Sequence, residues 1–402
     1  MEGFGTFEKP PIVIDFGENL TKIGVAGEHQ PRFILPTFQI LQMYSEGGYR
    51  RKSIGNAVTG SGSQQLLSQR ILEDDWIPIL HKGLRLIYFE YLLVDPNERK
   101  VILLESVTAT KSFREAAAFV LFTHFQVPSI SFLPSMVSPL YCCGIPTGIV
   151  VDLGYSESRI MPVYCGVAMY GQFECIPIGA KLLNKKLRLL LLEDQTTARE
   201  LNIVRSLSEA TLEDIKVRGC YVSFALENGS ATVPATDQRY HTAEGTFLIA
   251  ADSRWKLYEC LFGLDETEDP LCSVPAAIAR CLEKCPLDTR KELVQNIVLC
   301  GGMAEILGLL TRIAIELRMV LLAQPQLKTL ERLAGFAVPS FLPLCRQWIG
   351  GSIYGMLKDT QEFSMDNFLE SEGNIPDWTN WVETFIYQDQ PKTDTVMLLS
   401  SD

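Results

Sequence analysis

Apolar positions along the chain fall into short unbroken runs closed by turns of glycine and acidic residues. Pro11 to Phe16 is one such run, ending in Asp15-Phe16-Gly17. Thr21 to Gly27 resumes an extended pattern, so the two predict a hairpin that turns at Gly17 to Leu20. From Lys100 onward strand and helix patterns alternate. Val101 to Leu104 reads as a buried strand, and Ser112-x-x-Glu115 reads as a capping box that opens an apolar helix to Phe125. Ser129 to Leu133 is a further strand, Pro134 starts a helix through Tyr141, and Gly148 to Val151 is a third buried strand ending at Asp152-Leu153-Gly154. Strand, helix, strand in this order is an α/β layout.

The second half reads mainly as helix. Segments are expected from Gly179 to Leu192, from Thr211-x-x-Asp214 to about Tyr221, from Ser273-x-Pro275 to Lys284, from Asp288, from Ala304 to Met319, and from Arg346 to Leu357. Asn296 to Cys300 is a strand closed by Gly301-Gly302, and Pro234 to Gly245 reads as loop. Two stretches stand apart. Thr37 to Arg70 is polar, with Gly47-Gly48 and Gly60-Ser61-Gly62-Ser63-Gln64-Gln65, and reads as a loop insertion rather than core. The tail from Glu370 mixes polar residues with Trp378, Trp381, Phe385 and Tyr387, aromatics that either tuck onto their own domain or anchor a partner.

Composition narrows the function. At 402 residues the chain is long enough for two or more cores, and 47% hydrophobic against 21% charged residues places it among globular proteins. A net charge of −12 disfavours nucleic acid and anionic lipid as partners. The 11 cysteines are scattered without a C-x-x-C pair, and the four histidines stand at no zinc-ligand spacing, so a reduced, cytoplasmic protein without a structural metal is expected. Met1 to Lys9 lacks a basic and apolar leader pattern, and the most apolar long stretch, Ala304 to Ala323, carries four charges; neither secretion nor membrane insertion is expected.

The chemistry concentrates at strand ends. Ile12-Val13-Ile14-Asp15-Phe16-Gly17 and Ile149-Val150-Val151-Asp152-Leu153-Gly154 look like a repeat, with the aspartates 137 positions apart, and Ile297-Val298-Leu299-Cys300-Gly301-Gly302 is a third strand of the kind. A glycine after a strand lets backbone N–H groups approach phosphate oxygens, and an aspartate at the strand end can hold a hydrated divalent cation.

Together with Lys22, these runs resemble the actin, sugar-kinase and heat-shock-chaperone ATPase superfamily, and within it the actins. Gly24-Val25-Ala26-Gly27 followed by Pro31-Arg32 is similar to an actin signature. Asp214-Ile215-Lys216 with Cys220-Tyr221, Asp288-x-Arg290-Lys291, Asn296-x-Val298-Leu299-x-Gly301-Gly302 and Trp348-Ile349-Gly350-Gly351-Ser352-Ile353 follow in actin order, so the likeness covers roughly Pro11 to Leu357. The resemblance implies an actin-like ATPase fold with two duplicated lobes, four subdomains in all, around a central nucleotide cleft. The divisions expected are 1–147 for the first lobe with its insertion at about 37–70, 148–343 for the second, 344–370 for the return to the first, and 371–402 for the tail. It also implies nucleotide binding through Asp15, Gly17, Lys22, Asp152, Gly154, Lys216, Gly301 and Gly302.

Several family positions differ. Glu18 and Asn19 stand where the first actin phosphate turn has serine and glycine. A carboxylate about 4 Å from a phosphate charge costs about 4 kcal/mol at an effective dielectric of 20. Tyr155 replaces the aspartate of the second turn, Ser135 and Arg159 replace the water-orienting glutamine and histidine, and Val217 and Leu344 replace the glutamate and lysine beside the nucleoside. The expectation is a degenerate site without catalytic residues, holding ATP or ADP weakly or not at all.

A closer likeness is to the actin-related proteins at the pointed end of the short filament in dynactin. It implies a cytoskeletal interaction subunit whose partners are actin-like filament subunits and other pointed-end subunits. The filament-facing groove implied by the family falls at Tyr141, Gly144, Ile349, Ile353 and Leu357. The alternatives are a working ATPase or sugar kinase of the same fold, and a nuclear actin-related subunit of a chromatin-remodelling complex.

Overall fold

The computed structural model describes residues 9–41, 76–223, 226–227, 230–231, 236–242, 245–263, 272–358, 360–371, 373 and 375. Two sheets organise them. The first runs in the order Phe363–Ser364, Ser129–Pro134, Val101–Glu105, Ile12–Phe16, Leu20–Val25, Phe33–Pro36. The second runs Ile297–Cys300, Gly148–Leu153, Ser158–Tyr164, Val167–Ala168, with Glu174–Ile176 also paired to Ser158–Tyr164. Each sheet is mixed in the same way. Its central strand has a parallel neighbour on one side and the returning arm of its own hairpin on the other.

The registers show how far the duplication goes. Asp15 lies opposite Lys22 in the first hairpin, and Asp152 lies opposite Arg159 in the second. Both central strands are buried on both faces, which is why they read in the sequence as continuous apolar runs. Ile12 and Ile14 face the first lobe's core, with Val101, Leu103 and Ile130, while Val13 faces Trp348 and Ile349. Ile149, Val151 and Leu153 face a larger core shared with helices Ala180–Glu193, Val274–Lys284 and Leu309–Ala323, while Val150 packs on Leu140 and Met136.

Two helices join the lobes. Arg346–Tyr354 packs on the first sheet and Ser138–Cys143 on the second, and they cross where a Cβ on Gly350 would stand only 1.8 Å from the Ser138 carbonyl oxygen. Only glycine lets the backbones meet so closely. Buried Arg346 fastens the start of its helix to the second lobe, donating to the carbonyls of Leu299 (2.6 Å), Phe341 (3.0 Å) and Pro339 (3.1 Å).

Some elements differ from the sequence reading. The helix expected from Ser112 begins at Lys111, because the Thr110 hydroxyl accepts from the Phe113 N–H. Ser208, not Thr211, caps Glu209–Gly219 in the same way. The helix placed from Pro134 begins at Ser138, and the one placed from Ala304 begins at Leu309 after a tight turn over Gly302–Glu305. The region read as loop up to Gly245 holds a hairpin, Gln238–Thr242 with Gly245–Ile249. Of the insertion, Thr37, Ile40 and Leu41 are core, so its first turn belongs to the lobe; residues 42–75 lie outside those described. Arg188 donates to the carbonyls of Val204, Arg205 and Leu207 and closes the end of helix Ala198–Ser206. Ile375, in the tail expected from 371, is buried in the first lobe's core; residues 376–402, with the tail tryptophans, lie outside those described.

Candidate functional site

The two hairpin turns face each other between the lobes. In the first, Gly17 N–H donates to Leu20 O, closing the turn over Glu18 and Asn19; in the second, Gly154 N–H donates to Glu157 O around Tyr155 and Ser156. At the strand end Lys22 Nζ donates to Asp15 Oδ2 at 2.7 Å, and both side chains are nearly inaccessible. Burial opposes the lysine charge, but Asp15, with a further contribution from Asp152, outweighs it and holds the ammonium above its ordinary pKa. Arg159 is the counterpart in the second lobe. Burial opposes its charge too, and Asp152 and Glu157 restore it, Glu157 through a 2.8 Å ion pair.

Gly301, with φ +90°, sits against this floor. A Cβ there would lie 2.4 Å from Leu153 O and 2.7 Å from Asp152 Oδ1, so the third strand end is pressed directly onto the second turn. Gly302 is more open, with Leu344 Cδ1 3.7 Å from a Cβ at that position. The structure thus gathers Asp15, Gly17, Lys22, Asp152, Gly154 and Gly301 around one gap. Lys216 lies on its own helix and pairs with Glu213 at 2.7 Å, and Val217 beside it is 81% exposed.

What occupies the gap is protein. Ser156 Oγ of the second turn donates to Glu18 Oε1 of the first at 2.5 Å, and Arg159 Nη1 donates to Ser106 Oγ of the first lobe at 2.8 Å. Beside them is a small cavity of about 90 Å³, lined among others by Glu18, Ser106, Arg159 and Trp76, whose buried Nε1 has no hydrogen-bond acceptor among the described residues. Lys22, Arg159 and Lys216 are each paired with a carboxylate, and a further carboxylate, Glu18, bridges the two turns.

The signature segments have a structural reason. Trp348 Nε1 donates to Val13 O at 3.1 Å, and its ring lies where a Cβ on Gly24 would come within 2.6 Å. Ser352 Oγ accepts from Gly27 N–H and donates to Glu28 O, both at 2.9 Å, while Arg32 pairs with Glu28 at 2.7 Å. Gly24 to Arg32 and Trp348 to Ser352 therefore form one packed unit.

On the outer side of the crossing helices is an apolar groove. Tyr141 stacks edge-on against Tyr354 at 5.7 Å, Gly144 is open on its Cβ side, Ile353 is half-buried and Leu357 is 48% exposed. Ile349 does not line it. At 3% exposure it is buried with Val13, Leu104 and Trp348, one turn before Ile353 on the same helix face. The sequence reading missed the second wall. Tyr164 and Val167 flank a turn in which Gly166 N–H donates to Pro146 O at 2.7 Å, which sets it beside the Gly144 end of the groove. The apolar pair around Cys165-Gly166 was the available signal.

Among models of protein families, the one described as Actin matches residues 6–367. Among curated proteins, Actin-related protein 10 of Dictyostelium discoideum is 26% identical over an alignment of 430 positions, which takes in 92% of this chain and 89% of that protein.

Proposed function

Because the chain belongs to the actin family, we propose that it is a non-catalytic actin-related subunit of dynactin that caps the pointed end of the short actin-like filament and joins it to other pointed-end subunits. The likeness to Actin-related protein 10 of Dictyostelium supports an actin-related protein rather than an actin. The observation that carries the reading is the groove of Tyr141, Gly144, Ile353 and Leu357, widened by Tyr164 and Val167: an apolar face left partly exposed. Actin-like filaments grow by a head-to-tail contact, so a subunit with one competent face docks without propagating.

The opposite face of an actin depends on a loop that in this chain falls between Thr37 and Arg70. Its Gly, Ser and Gln residues offer few apolar anchors. Ordering them to receive another subunit would cost about 1–2 kcal/mol per residue. The cleft, with its carboxylate between the turns, supports a subunit that does not turn over ATP. Such a subunit works in the cytoplasm on the cytoskeleton, in support of microtubule-based transport.

The test is the variant Ile353→Asp/Leu357→Asp. Both positions are partly exposed, so the monomer should fold with unchanged circular dichroism while co-sedimentation with the actin-like filament is lost. Unaltered co-sedimentation would remove the groove from the interface.

A further inference from the structure

We propose that Glu18 and Arg159 form a built-in clasp that holds the two lobes together without a nucleotide. In a two-lobed protein with a ligand between the lobes, the ligand's own contacts to both sides favour the closed arrangement. Here the bonds across the gap are made by side chains. Ser156 Oγ to Glu18 Oε1 spans 138 positions in the chain at 2.5 Å, and Arg159 Nη1 to Ser106 Oγ spans 53 at 2.8 Å. The first lobe supplies both acceptors and the second both donors, at two separate points, so the two bonds also fix the relative rotation of the turns.

The observations converge on this reading independently of any filament role. Glu18 and Arg159 are two of the positions at which the chain departs from the actin pattern, and both departures supply a partner to the other lobe. The bond from Ser156 is charge-assisted, the stronger class of hydrogen bond. Arg159 is in turn held by Glu157 at 2.8 Å and lies opposite Asp152 in the hairpin, which fixes its direction toward Ser106. Glu18, Ser106 and Arg159 line the same small cavity, so the two bonds flank one open pocket rather than acting at separate places. A carboxylate in the phosphate position thus has two consequences. It repels a polyphosphate, and it does the joining that a polyphosphate would do.

Amide hydrogen exchange of the turns Gly17–Leu20 and Gly154–Glu157, with and without magnesium-ATP, tests the clasp. In the unaltered chain both turns should be protected equally in the two conditions. Glu18→Ala and Ser156→Ala, which break the same bond from opposite sides, should each speed exchange in both turns roughly tenfold or more, the size expected for a hydrogen bond to a charged group. Strands Ile12–Phe16 and Gly148–Leu153 should stay protected. Glu18→Gln keeps an acceptor for Ser156 and should retain most of the protection. Turns protected only when magnesium-ATP is present, or unchanged protection in both alanine variants, would overturn the proposal.

Discussion

Replacing Gly350 by alanine probes the joint between the lobes. A Cβ there would lie 1.8 Å from Ser138 O and 2.4 Å from Ser138 C, both backbone atoms that no rotamer change can move away. Reaching even about 3 Å, the closest approach real Cβ atoms show, requires the helices Ser138–Cys143 and Arg346–Tyr354 to part by about 1.2 Å, enough to forfeit a quarter to a half or more of the contact energy of atoms packed across the crossing. Overpacking of this kind costs about 1–3 kcal/mol, and with backbone on both sides the upper end is expected. At about 2–4 °C per kcal/mol for a lobe of roughly 200 residues, Gly350→Ala should lower Tm by about 6–12 °C. Gly144→Ala is the control on the same unit. It meets nothing within 4 Å but holds φ +64°, so it pays only the left-handed backbone cost of about 1–2 kcal/mol and should lose distinctly less. Scanning calorimetry of the two variants decides the matter. Equal shifts, or a Gly350→Ala protein as stable as its parent, would refute the close crossing.

Other expectations follow from the site and from the chain's return to the first sheet. Phosphate release from magnesium-ATP should be negligible, since Ser135, Tyr155 and Arg159 hold the water- and metal-orienting positions; turnover at the level of filamentous actin would refute the degenerate cleft. Burial works against the Glu362 charge, but bonds from Lys100 (3.0 Å), Ser129 (2.9 Å) and Thr360 (3.0 Å) outweigh it and hold the carboxyl below its usual range. Its stabilising contribution is therefore present above the unfolded carboxyl pKa of about 4.3 and lost as pH falls through the folded value, so Glu362→Gln should flatten the acid limb of a Tm-against-pH curve. Truncation after Ser371, which removes the buried Ile375, should cost about 1.5–3 kcal/mol more than truncation after Ile375.

How much of this could be read from the sequence depended on whether the determining contacts were local. The strands ending at Asp15, Asp152 and Cys300 were legible because a strand buried on both faces must be apolar at every position. The Gln238–Thr242 hairpin was not, since its strand alternates half-buried with exposed polar residues and resembles loop in composition. Helix starts slipped where two hydroxyls compete, as at Thr110 against Ser112, because only geometry decides which one reaches the free N–H. In the site, Asp15 and Lys22 were legible as functional positions, but that they pair with each other across the hairpin was not. The bond from Ser156 to Glu18 was invisible, because it joins two turns that only the packing of the lobes brings together. Ile349 shows the same limit: it shares a helix face with Ile353, and only the packing of the lobes decides that its turn is covered while the next is partly open.

The central claim is that the chain docks by one face and stops a filament at its pointed end. The most direct measurement is the elongation of preformed actin-like filaments, each end followed separately by fluorescence microscopy, as the purified chain is added. The account predicts that pointed-end growth halts at a concentration that saturates the ends, that barbed-end growth continues, and that the chain alone forms no filaments. Continued pointed-end growth, or polymerisation of the isolated chain, would contradict it.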